Sequence, residues 1–211
     1  MALPPEVRFY YGPGSRYSYL ASTQIERLQA DTGCRVYWRP LYSGDLFQAR
    51  GADPFAGPPI SGQYDRAYRR FDAECWADYS GVPYREPDDV RCNPRRLALA
   101  CTAAARLGAV EAFSRRLFQA VFVAGASSLD DTACVRIAGE IGLDPETFEA
   151  ALDDRETSAA LEATLAEALA AGVFGVPSFV VGGRVYFGND RLPILRHMLL
   201  GDKRPAPGAA G

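Results

Sequence analysis

A serine stands where the sequence is expected to change from strand to helix. The stretch from Phe9 to Ser22 reads FYYGPGSRYSYLAS, and Ser15 follows the turn Gly12-Pro13-Gly14. At the first position of a helix, unpaired backbone N–H groups and the positive end of the dipole favour an anion, to which a hydroxyl can donate. An ordinary N-cap serine has the same sequence pattern. Ser15 is therefore either an anion contact or a helix cap.

A Val-Pro pair near the other end of the chain is the second candidate. Val176-Pro177 follows Gly175 and precedes an apolar run, and a proline at the start of a strand often marks a turn or a cis peptide bond. We predict that this bond is cis and that its loop packs beside Ser15. Val176 could then offer its backbone N–H and C=O to an extended peptide.

The third candidate is the segment Gly188-Asn189-Asp190-Arg191, which opens the last predicted helix. Asp190 could simply cap that helix. Asn189 and Asp190 would also suit an ammonium and a carboxylate, the two charged groups of a γ-glutamyl moiety.

The elements that must position these residues come from both ends of the chain. The first part of the chain predicts a β-α-β unit with parallel strands. It consists of a strand over 7–11, a helix with apolar spacing from Tyr17 to Leu28 that ends at Gly33, and a strand over 35–39. Near the C-terminus, a helix over 156–171 precedes a hairpin that turns at Gly182-Gly183, and a last helix runs to about Leu200. Neither half can build a sheet alone, which predicts one mixed sheet.

The middle of the chain reads as helical. Helices are predicted near 64–79, 95–107, 110–123, 130–141 and 145–152. Two of their starts carry capping patterns, Ser128 with Asp131 three residues later, and Asp144 followed by Pro145.

Composition and charge limit the classes of function. Hydrophobic residues make up 48% of the 211 residues, enough for a packed core. The net charge of -3 argues against nucleic acid as a partner. The absence of a leader pattern and of an apolar run of about 18 residues predicts a cytoplasmic protein without a membrane span.

Cysteine and histidine usage argues against metal, disulfide and triad chemistry. The five cysteines show neither C-x-x-C nor paired metal spacing and are expected to be free thiols, with no metal site. His197 is the only histidine, and its pattern is that of a helix surface, so a Ser-His-Asp triad is not expected.

Taken together, three motifs resemble those of one family. The turn before YSYLA, the run GVFGVPSFVV and the segment GNDRL resemble the 2-hydroxychromene-2-carboxylate isomerases and the kappa-class glutathione transferases, over roughly 7–201. The resemblance implies an α/β, thioredoxin-like fold of the DsbA type with a large all-helical insertion. The β-α-β start and the α-β-β-α finish of the chain place the thioredoxin-like parts at 1–42 and 155–211 and the insertion at 43–154, and the resemblance implies a homodimer.

The resemblance also implies glutathione as the cofactor. Ser15 takes the place of the family's active-site serine, which hydrogen-bonds the glutathione sulfur. Val176, before cis-Pro177, would hold the glutathione backbone, while Asn189 and Asp190 would bind its γ-glutamyl end.

Two positions depart from the family pattern. Arg16 stands where the pattern S-P-Y-S-Y-L has proline, and, with Tyr17 beside it, is a candidate contact for a substrate carboxylate. Ala52, within RGADPF, stands where the family has an asparagine that contacts glutathione.

Three functions remain open at this point. The first is a glutathione-dependent isomerase of a small aromatic pyruvate-type acid, working by reversible addition of the glutathione thiolate. The second is a kappa-class glutathione transferase or peroxidase, and the third is a non-catalytic module that binds thiols or peptides, for which Arg16 and Ala52 are the best arguments. A DsbA-type redox enzyme would need cysteine where Ser15 stands, because the thiolate is its nucleophile.

Overall fold

The central sheet is assembled from both ends of the chain. In the computed structural model, which describes residues 3–51, 65–89 and 91–201, β1 (Glu6–Tyr11) pairs in parallel with β2 (Arg35–Pro40). On its other side β1 pairs antiparallel with β5 (Ser178–Val181), which pairs antiparallel with β6 (Arg184–Phe187). The strand order β2-β1-β5-β6 confirms the predicted parallel pair and the single mixed sheet.

Strand β1 is buried on both faces, as an inner strand of a covered sheet must be. On one face Phe9 is fully buried and stacks on Phe179 at 4.8 Å between ring centroids, with the edge of Trp38 at 5.1 Å. On the other face Tyr10 belongs to a second apolar cluster with Val180. The aromatic side chains of β1 therefore hold the sheet between its two covering layers.

The predicted first helix is two helices, α1 (Arg16–Ser22) and α2 (Ile25–Thr32). Two hydroxyls at the break bond backward to the backbone, Ser22 Oγ to Tyr19 O at 2.6 Å and Thr23 Oγ1 to Leu20 O at 2.8 Å. Such bonds compete with helix propagation. Gly33, with a φ of 69°, ends α2 as predicted.

Among the described residues, the helices between β2 and β5 are α3 to α9: Ser43–Arg50, Arg66–Ser80, Pro94–Arg106, Val110–Phe122, Asp131–Glu140, Pro145–Asp153 and Arg155–Ala170; α10 (Leu192–Leu200) follows the sheet. The sequence did not predict α3, nor the short parallel strands β3 (Arg91–Cys92) and β4 (Ser128–Leu129). The cap of α7 is Asp130 rather than Ser128, which lies in β4. Insertion boundaries at 43 and 154 stay a prediction.

The insertion packs directly on the helix that carries Ser15 at its start. Helix α1 packs against α4 and α6. Tyr11, at the end of β1, hydrogen-bonds Ser114 of α6, and Tyr19 of α1 stacks on Phe122 at 5.4 Å. Since these contacts join the sheet, α1 and the insertion, the insertion is fixed beside the start of α1.

The described helices and cysteines show two further features. None of these helices is long and apolar enough to cross a bilayer. All five cysteines are free, and three of them, Cys34, Cys101 and Cys134, are buried.

Truncation of the ring at the centre of the sheet should be costly. We expect Phe9→Ala to lower the free energy of unfolding by about 3–5 kcal/mol, because it removes a fully buried ring and leaves a cavity. Urea unfolding of Phe9→Ala measures this loss of free energy. The matched control is Leu3→Ala, because the Leu3 side chain is 92% exposed. A loss below about 1 kcal/mol would mean that the stack on β1 does not hold the sheet.

Candidate active site

Ser15 is the N-cap of α1. Its backbone is extended, with φ of −94° and ψ of 121°, and its Oγ accepts from Ser18 N at 3.3 Å. The turn before it is closed by Ser15 N donating to Gly12 O at 2.9 Å and by Gly12 N donating to Ser18 Oγ at 3.1 Å. A serine that accepts through oxygen keeps its own O–H for donation. Ser15 can therefore cap α1 and donate to a ligand at the same time.

The Val176-Pro177 loop lies against the Ser15 turn, and its peptide bond is cis, as predicted. An ideal Cβ built on Gly12 would lie 3.2 Å from Val176 Cγ2 and 3.5 Å from Ser15 Cβ. Gly12 thus lets Val176 and Ser15 pack on either side of it. The backbone N–H and C=O of Val176 make no hydrogen bond to any described residue, although Val176 is not among the described residues that line the cavity at Ser15.

A backbone hydrogen bond joins the segment Gly188–Arg191 to the Val176-Pro177 loop. Gly188 N donates to Pro177 O at 2.9 Å, and the 3-10 turn Asn189–Arg191 that follows packs against α1. Gly188 has a φ of 108°, and a Cβ there would collide with Asp190 Oδ1. The structure therefore gathers the three segments around the start of α1.

Asn189 and Asp190 do not line the same cavity as Ser15. Asp190 is exposed, with its carboxylate 3.6 Å from Arg191. Asn189 lines a separate hollow of about 280 Å³ whose other walls include Trp76 and Arg196. Their predicted part in binding a γ-glutamyl group stays a prediction.

Ser15 opens onto a cavity of about 360 Å³ between the sheet and the insertion. One side is formed by the turn at 12–15, by residues 41–44, which lead into α3, and by Phe47 of α3. The insertion supplies the other side: Glu86, Cys92, Pro94, Leu97, Val121, Phe122 and Leu129. Most of these side chains are apolar, so the cavity suits a small, largely apolar ligand.

Glu86 is the only carboxylate on this wall among the described residues. Its Oε1 lies 2.8 Å from Arg16 Nη2, and its Oε2 accepts from the Tyr84 hydroxyl at 2.7 Å. The side chains of Arg16 and Glu86 are only 14% and 13% exposed. Burial, followed by the bond to Glu86, raises the pKa of the Tyr84 phenol, which keeps it a donor.

Neither Arg16 nor Tyr17 is among the described residues that line the cavity. The Arg16 guanidinium is held by Glu86. The Tyr17 hydroxyl donates to Asp72 of α4 at 2.8 Å, and burial, then this bond, raises the pKa of the phenol. Direct substrate contacts by either residue stay a prediction, and Ala52 lies outside the described residues.

Cys92 is the one cysteine on the cavity wall within the described residues. Burial raises the pKa of its thiol, which disfavours the nucleophilic thiolate. No motif in the sequence pointed to Cys92 or Glu86 as site residues, because both lie in the insertion, where no motif was found.

A model of the DSBA-like thioredoxin domain matches residues 6–200. The 2-hydroxychromene-2-carboxylate isomerase of Pseudomonas putida is 26% identical over 192 residues, which cover 90% of this chain and 91% of that protein. The enzyme of the same name from Sphingobium xenophagum is 27% identical over 197 residues, or 92% of this chain and 97% of that protein.

Solved structures give the same fold. The structure of a selenomethionine-labelled 2-hydroxychromene-2-carboxylate isomerase has a TM-score of 0.79 and 25% identity, covering 92% of this chain and 94% of that one. The cytosolic disulfide reductase DsbM of Pseudomonas aeruginosa has a TM-score of 0.64 at 19% identity, with 93% and 98% coverage. The α/β, thioredoxin-like fold of the DsbA type is thereby confirmed.

Gly188 should tolerate a side chain less well than Gly183, which also has a positive φ but has open space around its Cβ position. We expect Gly188→Ala to lower the free energy of unfolding by about 2–3 kcal/mol, because its backbone region is nearly restricted to glycine. The new Cβ also meets Asp190 Oδ1, the end of an exposed side chain that can turn away. Gly183→Ala, with a φ of 74° and open space around its Cβ position, is the matched control and should cost about 1 kcal/mol. Equal losses in urea unfolding would show that the backbone at Gly188 demands glycine no more than the backbone at Gly183 does.

Proposed function

The chain belongs to the DSBA-like thioredoxin domain family, and we propose that it is a glutathione-dependent isomerase of a small aromatic pyruvate-type acid, such as 2-hydroxychromene-2-carboxylate. Similarity to enzymes named for that reaction, over 90% and 92% of the chain, supports an isomerase. The observation that carries the proposal is Ser15: a hydroxyl with a proton to donate, on the wall of a mostly apolar cavity, where a disulfide enzyme would have cysteine.

The residues present fit glutathione. Val176 has an open backbone N–H and C=O, the pair that an extended tripeptide backbone uses. Asn189 and Asp190 follow Gly188, which is bonded to the same loop, and would hold the γ-glutamyl end. When bound, glutathione supplies a thiolate that adds reversibly to the conjugated acid.

Ser15 would act on the protonation state of the cofactor's sulfur. A free thiol has a pKa of about 8.5, so most of it is protonated at neutral pH. A hydroxyl that donates to the charged form stabilises that form and lowers the pKa. The apolar walls strengthen this effect, because a hydrogen bond to a charge is worth more where water is excluded.

The alternatives share parts of this site. A kappa-class transferase or peroxidase would use the same serine and the same Val176 edge with another acceptor. A non-catalytic module would need only the open Val176 backbone. Disulfide exchange has the least support, because α1 starts with serine and burial raises the pKa of the Cys92 thiol. A homodimer and a cytoplasmic location, both implied earlier, remain part of the proposal.

Calorimetry with glutathione, followed by an absorbance assay for the isomerisation of 2-hydroxychromene-2-carboxylate, tests the proposed function. We expect binding together with turnover. Binding without isomerisation, but with conjugation of an electrophile, would favour the transferase. Binding with neither activity would favour the non-catalytic module, and no binding would contradict all glutathione-dependent functions.

Ser15→Ala should slow turnover by about 10- to 150-fold at neutral pH, because it removes one hydrogen bond to a charged group, worth about 1.5–3 kcal/mol. The bond favours only the ionised sulfur, so the loss should shrink as pH rises above about 8.5, where the thiolate forms unaided. Binding of S-methylglutathione, which has no thiol proton, should barely change. Turnover and this affinity, measured between about pH 6 and 9, check the prediction.

The matched control is Ser43→Ala, which removes a second hydroxyl-bearing side chain from the same cavity lining. It should change turnover little, and equally at every pH. If Ser15→Ala gives a deficit that is the same at every pH, Ser15 is only the cap of α1.

A further inference from the structure

Glu86 lines the cavity that Ser15 lines, and its carboxylate is held by two protein partners. It comes from the segment after α4, while the turn at 12–15 comes from the end of β1. Its Oε1 is ion-paired with Arg16 Nη2, and its Oε2 accepts from the Tyr84 hydroxyl. A hydrogen bond from Arg70 Nη2 to Glu86 O at 3.0 Å holds the backbone. The carboxylate therefore has little freedom to move.

This carboxylate still has accepting capacity. An ionised carboxylate offers about four lone-pair sites, and the two donors named above use two of them. A mostly buried acceptor with unused lone pairs favours a ligand that brings a donor. The other lining side chains of the insertion wall, apart from Cys92, are apolar, so the donor must come from the ligand's own polar group.

The ion pair with Arg16 offsets the charge of Glu86, so the carboxylate acts toward a ligand mainly as a hydrogen-bond acceptor. An ionised acid group has no proton to donate, whereas a ring hydroxyl does. The ring end of the molecule is therefore the end that can bond to Glu86.

We propose that Glu86 determines substrate specificity by accepting a hydrogen bond from a ring hydroxyl, so that the cavity selects hydroxyaryl acids over aryl acids that lack this group. The inference rests on the proposed function and names the substrate class of the same site. Arg16 and Tyr84 are positioning residues, which hold the carboxylate in place. Arg16 thus acts on the substrate through Glu86.

Binding of simple cinnamates tests this without turnover. Dissociation constants for cinnamate and for its 2-, 3- and 4-hydroxy derivatives are measured by calorimetry with saturating S-methylglutathione. Wild type should prefer at least one hydroxycinnamate over cinnamate by about 10- to 150-fold, the range for a bond to a charged acceptor. The corresponding methoxycinnamate, which cannot donate, should bind no better than cinnamate.

Glu86→Gln should abolish the preference. The amide carries no charge, and its NH2 group, which cannot accept, replaces one of the two oxygens, so the bond to a charged acceptor is lost. Cys92→Ala changes the same wall and keeps the carboxylate, so it is the matched control and should keep the hydroxyl preference of wild type. Thermal unfolding of each variant checks that the fold is intact.

The outcomes separate the two proposals. If wild type binds the cinnamates with no hydroxyl preference, or if the methoxy compound binds as well as the hydroxy compound, the role of Glu86 is wrong while the aromatic-acid class stands. The role of Glu86 is also wrong, and the aromatic-acid class again stands, if Glu86→Gln keeps the hydroxyl preference. If wild type binds none of the cinnamates, the aromatic-acid class is contradicted, and the role of Glu86 with it. If Glu86→Gln does not fold, the wild-type series alone decides whether Glu86 has the proposed role.

Discussion

The burial of β1 on both faces is the constraint on which the rest of the molecule depends. A strand buried on both faces cannot shift by one residue without moving every side chain into the opposite layer, which is packed around different neighbours. Its register with β2 and β5 is thereby fixed, Tyr10 lying opposite Arg39 on one side and Ser178 on the other. The turn at 12–15 leaves the end of this strand, and the cis-proline loop enters the strand beside it. Two loops far apart in sequence are therefore held at the same edge of one rigid sheet.

The fold could be predicted largely from the sequence because its signals are local. The β-branched and aromatic run of β1, the glycine at 33, and the hairpin turn at 182–183 each predict an element from a few neighbouring residues. Combined with the rule for parallel β-α-β units, these elements leave few ways to build a sheet. The Val176-Pro177 loop and Ser15 were also found this way, because each sits at a punctuated strand end.

The remaining features depend on contacts between distant residues. The first helix is divided into α1 and α2 where the Ser22 and Thr23 hydroxyls donate to backbone carbonyls of the preceding turn. The spacing of apolar residues, from which the helix was predicted, carries no information about these side-chain hydrogen bonds. The insertion side of the cavity consists of side chains from several elements with no shared motif. Arg16 is a departure from the family pattern in sequence, and only the structure reveals that its partner is Glu86.

The cavity between sheet and insertion has walls that come from different parts of the chain. The Ser15 side rests on β1 and the cis-proline loop, while the opposite side rests mainly on helices of the insertion. Leu97 and Val121 on that side also belong to the buried core that contains Phe9 and Tyr11 of β1. A substitution that reshapes the ligand-facing surface there therefore also alters the packing that holds the sheet, so changes in what the cavity accepts are coupled to changes in stability.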